Sequence, residues 1–438
     1  MIREKVLQAL RRFVPEFLKN WYHFFLSLIS AVFYGFPSRK LKVIGITGTN
    51  GKTTTVELTE KIFEEAGYKV ASVSSIKFKI GEKLKENLLR ITMPGRFFLQ
   101  RFLRKALNAG CEYAILEVTS EGIKQHRQRF IDFDVAAFTN LTPEHIESHG
   151  SFEDYKKAKG RLFEQSKKVS VVNLDDSYAD YFLKFPADEK YGYKIESKTQ
   201  NPKLKNLKII EAKDCKVVYK GISFSVDGVN FNLKLLGAFN IYNVLAAISI
   251  AASQGIDLKT CKRALEKMEG MPGRMEIVID KPFKVIVDYA FTPNALKQVY
   301  ETIQRDFSPK KMICVFGACG GGRDKWKRPV LGKIAARFCD EIILTNEDPY
   351  DEDPMGIIEQ IASGVENISK NQPKSALYKI QDRREAINKA LSFVKPGDIV
   401  VITGKGCEPS ICLAGGKEIP WDDRKVVREE FKKVAKDL

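Results

Sequence analysis

Residues 43–55 read VIGITGTNGKTTT, and this stretch decides the fold of the chain. The apolar run 41–46 predicts a buried strand, a glycine-rich turn follows it, and a helical pattern covers 53–66. Glycines let backbone N–H groups close on phosphate oxygens, and the first turn of a helix adds partial positive charge. The stretch therefore predicts a phosphate-binding loop, in which Lys52 reaches the outer phosphates of a nucleotide and the Thr53 hydroxyl holds Mg²⁺.

A strand-to-helix turn without a ligand is the alternative for this stretch. The strict phosphate-loop pattern has a glycine five positions before Gly51, and Ile46 stands there instead. Gly-Lys-Thr between a predicted strand and a predicted helix is still a specific signal, because each part of the pattern has a role in holding phosphate. The pattern therefore favours nucleotide binding.

Composition narrows the class of protein and of partner. The chain has 438 residues, which predicts two or three domains, and its 44% hydrophobic and 29% charged residues are typical of a globular protein. Its net charge of +17 favours anionic partners such as nucleotides, acidic substrates or an anionic membrane surface. No nucleic-acid-binding motif is present, so we expect no nucleic-acid partner. The 8 cysteines form no C-x-x-C pair, which indicates reduced thiols in a cytoplasmic protein rather than disulfides or a zinc site.

Residues 1–40 form an apolar and basic segment that is predicted to be helical. Its run WYHFFLSLISAVFYGF at 21–36 is flanked by Arg11 and Arg12 on one side and by Arg39 and Lys40 on the other. The run is too short and too interrupted to predict a membrane-spanning helix. Two interpretations remain open: a helix lying on an anionic membrane surface, or a helix that packs its aromatic face on the next domain.

The rest of the chain alternates between strand and helix patterns. Residues 41–271 predict a parallel, doubly wound α/β domain that contains the phosphate loop, with antiparallel hairpins at 207–236. After the break at 270–273, a second alternation predicts a Rossmann-like α/β domain over 272–438. The main predicted strands are 69–74, 113–118, 135–139, 169–173, 285–289, 312–316, 342–345 and 399–403, and the main predicted helices after the loop are 96–108, 240–253 and 259–269.

Two further residues belong beside the phosphate loop. Glu117 ends a predicted buried strand, and ligands of such sheets bind at the carboxyl ends of the strands. It is therefore a candidate Mg²⁺ ligand, although a carboxylate paired with a lysine is the alternative. His145 follows the next predicted strand, which places it in the same region, where a neutral imidazole can serve as a ligand.

At this point the chain resembles the Mur ligase family, and within it the MurE branch, whose members add the third residue of the peptidoglycan stem to a UDP-N-acetylmuramoyl-dipeptide. The resemblance covers residues 41–425. The motifs that carry it are GTNGKTT at 48–54, EVTS at 117–120, TNL at 139–141 with His145, Tyr155 with Lys159 and Leu162-Phe163, NLDD at 173–176, GAFNIYN at 237–243, GRME at 273–276, VDYA at 287–290, GGRDK at 321–325 with KRP at 327–329, and GKG at 404–406.

The resemblance implies a role for each matching residue. ATP would contact Gly48, Thr49, Asn50, Gly51, Lys52, Thr53, Thr54, Asn240, Arg274 and Asp288. Mg²⁺ would be held by Thr53, Glu117, His145 and Lys159, the last as a carbamate, and Lys52, Glu117, His145 and Lys159 would be the catalytic set. The acceptor would be held by Thr92, Thr119, Gln125 and Arg127. The amino acid would be held by Arg323, Glu347, Asp348, Tyr350, Gly404 and Glu408.

The resemblance also implies the reaction. The acceptor carboxylate would attack the γ-phosphoryl group of ATP, and the amine of an amino acid would then displace phosphate from the acyl phosphate. Lys52 and Mg²⁺ would neutralise charge on the transferring group. The implied partners are a nucleotide-sugar peptide and an amino acid, and we expect a monomer in the cytoplasm. A contact of 21–36 with the inner face of the membrane stays one of the two interpretations given above for that segment.

Several departures from the family pattern bear on the substrate. Tyr350 stands where diaminopimelate-adding relatives have an arginine, and a phenol cannot make a bidentate contact with a carboxylate, which argues against meso-diaminopimelate. The acidic run Glu347, Asp348, Asp351 and Glu352 favours a cationic side chain such as lysine or ornithine, unless these are solvated loop charges. Relatives also carry an N-terminal domain that binds UDP, and only 40 residues precede the first strand here.

Two other functions remain open at this level. One is a ligase of the same fold with another substrate, resembling folylpolyglutamate synthetase or a pseudomurein peptide ligase. The other is a weakly catalytic, membrane-associated ATP-binding protein, which Phe291 and Cys407 favour because relatives have histidine at both positions. The intact set of Lys52, Glu117, His145 and Lys159 favours an enzyme.

Overall fold

The structure is a computed structural model that describes residues 15–89, 91–196, 206–368 and 375–434. Arg11 and Arg12, and with them the first part of the predicted segment 1–40, lie outside the described residues. The helices are α1 (Glu16–Phe33), α2 (Lys52–Glu65), α3 (Arg96–Asn108), α4 (Ser120–Lys124), α5 (Ile146–His149), α6 (Phe152–Gln165), α7 (Ala179–Leu183), α8 (Phe239–Ser253), α9 (Leu258–Glu266), α10 (Pro293–Phe307), α11 (Lys327–Phe338), α12 (Pro354–Ile368), α13 (Arg383–Phe393) and α14 (Asp423–Val434).

Two large sheets and one small sheet organise the strands. The first sheet contains β1 (Lys42–Thr47), β2 (Val70–Val73), β3 (Lys77–Ile80), β4 (Lys83–Glu86), β5 (Tyr113–Glu117), β6 (Val135–Phe138), β7 (Val169–Asn173), β8 (Glu189–Ile195), β9 (Leu207–Val218), β10 (Gly221–Val226) and β11 (Val229–Leu233). The second contains β12 (Glu276–Ile279), β13 (Lys284–Val287), β14 (Met312–Phe316), β15 (Glu341–Leu344), β16 (Ala376–Lys379) and β17 (Ile399–Ile402), and the small sheet pairs β18 (Ser410–Cys412) with β19 (Glu418–Pro420).

The first sheet is parallel at its centre and antiparallel at both edges. Its order is β11-β10-β9-β8-β7-β6-β1-β5-β2-β3-β4, and β1 lies between β5 and β6 in parallel register. Alternate residues of β1 enter the two cores on opposite faces, Ile44 and Ile46 on one side and Val43 on the other. The predicted doubly wound class is confirmed. The hairpins β9–β10 and β10–β11 extend the same sheet, because β9 pairs in parallel with β8.

The second sheet has the order β12-β13-β17-β14-β15-β16, parallel except for β12. Helices cover both faces of it and form two further apolar clusters. Arg383 fastens the last helix to this sheet, since it forms a buried two-point ion pair with Asp423 at 2.8 Å and donates to the Thr403 carbonyl at 2.8 Å. The carboxyl ends of β13, β14, β15 and β17 lead into the loops that carry the predicted second half of the site.

Helix α1 packs against α3 and the loop that precedes β6. Ser27 and Ser30 are buried, and Ser27 Oγ donates to the His126 carbonyl at 2.7 Å. The helix therefore does pack on the protein, but the aromatic residues Trp21, Tyr22 and Phe25 are exposed rather than buried. Within the described residues, no helix combines the length and apolar character that crossing a bilayer would require.

Candidate active site between the two sheets

The glycine-rich turn between β1 and α2 is shaped by backbone conformations that side chains would not fit. Gly51 has φ 82° and precedes the first residue of α2, and a Cβ there would collide with the Asn243 side chain. A Cβ at Gly48 would collide with the Thr139 hydroxyl. Asn140 fixes the turn further, because its Oδ1 accepts from the Asn50 N–H at 2.9 Å. The result is an open loop at the start of a helix, which suits a phosphate group.

A cavity of about 440 Å³ opens over this loop and extends to the second sheet. The predicted site residues that line it are Thr49, Asn50, Gly51, Lys52, Thr53, Thr54, Thr92, Glu117, Thr119, Gln125, Arg127, His145, Asn240, Arg274, Asp288, Arg323, Glu347, Asp348, Tyr350, Gly404 and Glu408. Gly48 and Lys159 are not in the lining. They lie behind it, where Lys159 Nζ donates to the Gly48 carbonyl at 2.7 Å.

Glu117 lies at the end of β5, directly beside the start of α2. It is buried, and its Oε2 accepts from the Thr53 hydroxyl at 2.9 Å, from the Ser75 N–H at 2.9 Å and from the Ser75 hydroxyl at 3.1 Å. These bonds orient the carboxylate toward the loop, and no ion pair with a lysine is formed among the described residues, against the alternative considered above. Ser75 was not predicted as a site residue; its only signal is its place just after β2, which adjoins β5.

Lys159 is a buried lysine on α6 beside the phosphate loop. Its Nζ lies 4.6 Å from the centre of the Tyr155 ring, and the second lysine of the site, Lys52, is close enough to act on it electrostatically. Burial, reinforced by Lys52 and opposed by Glu117, holds the pKa of Lys159 well below its usual value. A neutral amine is the form that can add to carbon dioxide, so the environment fits the predicted carbamate.

His145 occupies a tight turn before α5 with φ 57°, a left-handed conformation that is uncommon for a side chain of this size. Burial, together with Arg323, Lys159, Lys327 and Lys52, lowers the pKa of His145 from 6.5 to about 2. The imidazole is therefore neutral at physiological pH, which is the form that binds a metal.

The donor set suits Mg²⁺ in part. Among the described residues, no group of three or more His, Cys, Asp or Glu side chains is placed to hold a metal ion. A hard cation here would depend on Glu117, the Thr53 hydroxyl, His145 and oxygens that come from the nucleotide and from a modified Lys159. The residues present fit a cation that arrives with its substrate.

The low pKa of His145 predicts a measurable loss of stability in acid. The unfolded chain takes up a proton near pH 6.5 and the folded chain does not, so each pH unit below 6.5 should cost about 1.4 kcal/mol from this group. We expect His145→Gln to remove that part of the acid sensitivity, measured as the difference in unfolding free energy between about pH 7.5 and pH 5.5. Equal acid sensitivity of the two proteins would contradict the low pKa.

The part of the second sheet that is predicted to contact the nucleotide contains Arg274 and Asp288, with Tyr289 beside them. The Asp288 carboxylate accepts from the backbone N–H groups of Met275 at 2.7 Å and Ala290 at 2.6 Å, which fixes the connection between the two sheets. The Arg274 guanidinium lies 4.2 Å from the centre of the Tyr289 ring, and its buried Nε has no hydrogen-bond partner in the described part of the chain. This arginine faces the cavity with donor capacity to spare.

The predicted acceptor residues form one patch beside Glu117. Arg127 donates to Gln125 Oε1 from Nη2 at 2.7 Å and from Nε at 3.2 Å, and Thr119 caps α4 through the Gly122 N–H. The Thr92 hydroxyl is 2.9 Å from that of Ser75. Hydroxyls and a guanidinium in one concave wall can hold carboxylate and hydroxyl groups of a substrate.

The far end of the cavity carries an unusual carboxylate. Glu347 is 1% exposed, its Oε1 accepts from Cys319 Sγ at 2.9 Å, and its Oε2 has no hydrogen-bond partner among the described residues. Burial raises the pKa of Glu347. A Cβ at Gly404 would collide with this carboxylate, so glycine there leaves room for it.

The other acids of the predicted run already have structural partners. Asp348 is buried and pairs with Lys405 at 3.0 Å, whereas Glu352 pairs with the buried Arg328 at 3.0 Å. Glu347 and Asp348 are therefore not solvated loop charges. Of the four acids, Glu347 is the one whose buried oxygen is unsatisfied in the described structure.

The loop after β14 and the start of α11 contact the turn that carries His145. The Asp324 carboxylate accepts from the N–H groups of Ile146 at 3.3 Å and Glu147 at 3.0 Å, and Lys327 forms a buried ion pair with Glu144 at 2.8 Å. These contacts join residues far apart in the chain, and no local sequence pattern predicts them. They make the position of His145 depend on the second sheet.

Comparison with known proteins gives consistent results across the chain. A Mur ligase middle domain matches residues 46–251, and the Mur ligase, glutamate ligase domain matches residues 273–406. A UDP-N-acetylmuramyl-tripeptide synthetase from Roseiflexus sp. (strain RS-1) is 38% identical over 431 residues, which is 94% of this chain and 82% of that protein.

Solved structures show the same relationship. The structure of a UDP-N-acetylmuramoyl-L-alanyl-D-glutamate--2,6-diaminopimelate ligase matches with TM-score 0.60 and 32% identity, covering 90% of this chain and 78% of that one. Mycobacterium tuberculosis folylpolyglutamate synthase matches with TM-score 0.69 at 17% identity, covering 92% of this chain and 95% of that one, and this likeness shows the fold alone.

Proposed function

This chain belongs to the Mur ligase family, and we propose that it joins an amino acid to the free carboxyl group of a UDP-N-acetylmuramoyl-dipeptide-like acceptor in peptidoglycan precursor synthesis, with conversion of ATP to ADP. It is an amide-forming ligase of the ATP- and magnesium-dependent kind. The observation that carries the proposal is that the phosphate loop, Glu117, Arg127 and Glu347 all line one continuous cavity. We assign the ATP-binding half to residues 41–271 and the other half to 272–438.

Side chains in different parts of the cavity have different proposed roles. Lys52 and the turn N–H groups hold the outer phosphates, and Arg127 with Gln125 orients the acceptor so that its carboxylate meets the γ-phosphoryl group. Mg²⁺, held by Thr53, Glu117, His145 and a carbamylated Lys159, would neutralise phosphate charge. The walls of the cavity would limit the access of water to the acyl phosphate until an amine arrives from the side of Glu347.

We further propose that the amino acid has a cationic side chain. The unsatisfied, buried Glu347 carboxylate needs a donor, and an ammonium group supplies one together with an opposite charge. Tyr350 lines the same end of the cavity and offers no charge for a second carboxylate. Lysine or ornithine meets both conditions, and meso-diaminopimelate does not.

Phosphate release with UDP-N-acetylmuramoyl-dipeptide and a panel of amino acids tests both proposals. We expect turnover with lysine or ornithine, and a kcat/KM for meso-diaminopimelate at least about 10-fold lower, because one lost charge-assisted contact is worth about 1.5–3 kcal/mol. Glu347→Gln should raise KM for the cationic amino acid, and Tyr350→Arg should improve meso-diaminopimelate. Product masses identify the amide formed.

The outcomes separate the two proposals. Turnover with meso-diaminopimelate as the best substrate rejects the cationic preference and leaves the ligase. No product with any amino acid, while the protein still binds ATP, favours the weakly catalytic alternative instead. Glu352→Gln is the matched control, since its carboxylate pairs with Arg328 and should not change amino-acid choice.

The setting of the reaction follows from the same residues. We propose a cytoplasmic enzyme, because ATP is made there and all 8 cysteines are free. We propose that it acts as a monomer, since this chain by itself supplies every predicted part of the cavity, from the phosphate loop to Glu347. We also propose that segment 21–36 contacts the inner face of the membrane.

A further inference from the structure

Helix α1 is amphipathic, but its apolar side faces away from the protein, whereas the apolar side of a helix usually faces the core. Its small and polar residues face the protein, and Ser27, Ser30 and Ala31 are all buried. Its large apolar residues face outward. Those that are 47–73% exposed are Phe17, Leu18, Trp21, Tyr22, Phe25, Ile29, Val32 and Phe33. We call this set the outer face of α1. A helix on a globular domain ordinarily buries such a face, so an exposed one marks a contact surface.

The inner side of α1 is held by specific polar contacts. Asn20 Oδ1 lies against His126 Nε2 at 2.5 Å, Arg96 Nη2 is 2.7 Å from His23 Nδ1, and Arg104 donates to the Tyr34 carbonyl at 2.8 Å. These bonds fix which side of the helix points away from the protein. The outward orientation of the apolar residues is therefore a property of the folded structure.

The surroundings of the outer face are positively charged. From Phe17 to Lys42 the sequence contains no Asp or Glu, and neither does α3, the helix that packs beside α1. Arg39 and Lys40, in the loop after α1, and Arg101 and Lys105, on α3, are exposed basic residues. The exposed Asp132, at 3.7 Å from Arg39, is a neighbouring acid. We call these four basic residues the basic rim. Aromatic side chains favour the headgroup region of a bilayer, and basic side chains are attracted to anionic lipids, so the outer face and the basic rim are complementary to an anionic bilayer surface.

We propose that the outer face of α1 lies on an anionic membrane surface as an interfacial helix. The helix would insert its aromatic and aliphatic side chains among the lipid headgroups without crossing the bilayer, and the basic rim would supply the electrostatic attraction. The inner side of α1 contacts His126 and Arg96, and Arg96 in turn donates to the Gln125 carbonyl at 2.9 Å, so docking would hold the proposed acceptor wall of the cavity close to the lipid. This inference stands whether or not the proposed amino-acid choice is right.

Co-sedimentation of the full chain with vesicles tests the proposal. We expect binding to phosphatidylglycerol vesicles, weaker binding to phosphatidylcholine vesicles, and partial release at high salt. The triple variant Trp21→Ser, Phe25→Ser, Ile29→Ser should lower the partition coefficient at least about 10-fold, because three exposed apolar groups no longer enter the interface. Lys40→Gln with Arg101→Gln should weaken binding to the anionic vesicles only.

Matched controls lie on the hairpin β9–β10. Val218→Ser with Tyr219→Ser removes apolar residues of similar exposure, and Lys216→Gln with Lys220→Gln removes exposed charges; all four changes should leave vesicle binding unaltered. Equal binding of wild type and triple variant would overturn the proposal. So would a lipid-free dimer, seen by sedimentation velocity, that the triple variant converts to monomer, because the face would then be covered by a second copy.

Discussion

Replacing Lys159 with alanine is expected to lower kcat by at least about 10²-fold, because the loss removes a group that would hold the cation on the transferring phosphoryl group. The chain should stay folded, since Lys159 contributes one hydrogen bond, to Gly48, and its buried amine costs desolvation energy. Steady-state phosphate release with both co-substrates measures the effect. Far-ultraviolet circular dichroism and the midpoint of thermal unfolding check the fold.

A second readout separates the carbamate from a structural lysine. Protein equilibrated with ¹³C-labelled bicarbonate should show a carbamate carbon signal in NMR, and Lys159→Ala should lack it. Lys157→Ala is the matched control, because Lys157 is an exposed residue on the same helix and should retain both signal and activity. Full activity of Lys159→Ala would reject the catalytic role, and an active wild type without the signal would reject the carbamate.

Local patterns predicted the core of this structure well. The predicted helix over 53–66 lies at Lys52–Glu65, and the predictions at 96–108 and 169–173 match α3 and β7 at both ends. These elements are buried on a regular period, so the sequence carries their limits. The edge of a sheet is harder to predict, because β9 has the alternation of a hairpin strand and yet also pairs in parallel with β8.

The candidate site was predictable where a residue lies at the end of a strand and unpredictable where it depends on tertiary pairing. Glu117 ends β5, and the topology alone brings it to the loop after β1. Ser75 reaches Glu117 only because β2 adjoins β5, and the unsatisfied oxygen of Glu347 depends on which neighbours Asp348 and Glu352 take. For α1, the apolar composition of 21–36 predicted a helix but could not reveal that its small and polar side packs on α3.

Breaking the ion pair that joins the two sheets should have the largest effect on stability. The side chains of Lys327 and Glu144 are 2% and 3% exposed. Lys327 pairs with Glu144 Oε1, and Glu144 Oε2 has no hydrogen-bond partner in the described structure. Lys327→Met leaves that carboxylate buried without its cation, which should cost about 3–5 kcal/mol of unfolding free energy. Urea unfolding followed by tryptophan fluorescence measures the loss, and Lys333→Met, an exposed change on the same helix, should cost little.

Because Glu144 can take up a proton, the pH dependence of the unfolding free energy distinguishes loss of the ion pair from simple loss of packing. Burial raises the pKa of Glu144 and Lys327 opposes that shift, so removal of Lys327 raises the pKa further. The folded variant then takes up a proton more readily than the unfolded chain. The difference in unfolding free energy between wild type and variant should therefore become smaller as the pH falls.

Adding Glu144→Gln to Lys327→Met should restore part of the lost unfolding free energy at neutral pH. Lys327→Met should also lower kcat, because Glu144 directly precedes His145 and the ion pair helps to fix the position of this turn. A variant within about 1 kcal/mol of wild type at neutral pH would show that the second sheet does not hold this turn through the ion pair.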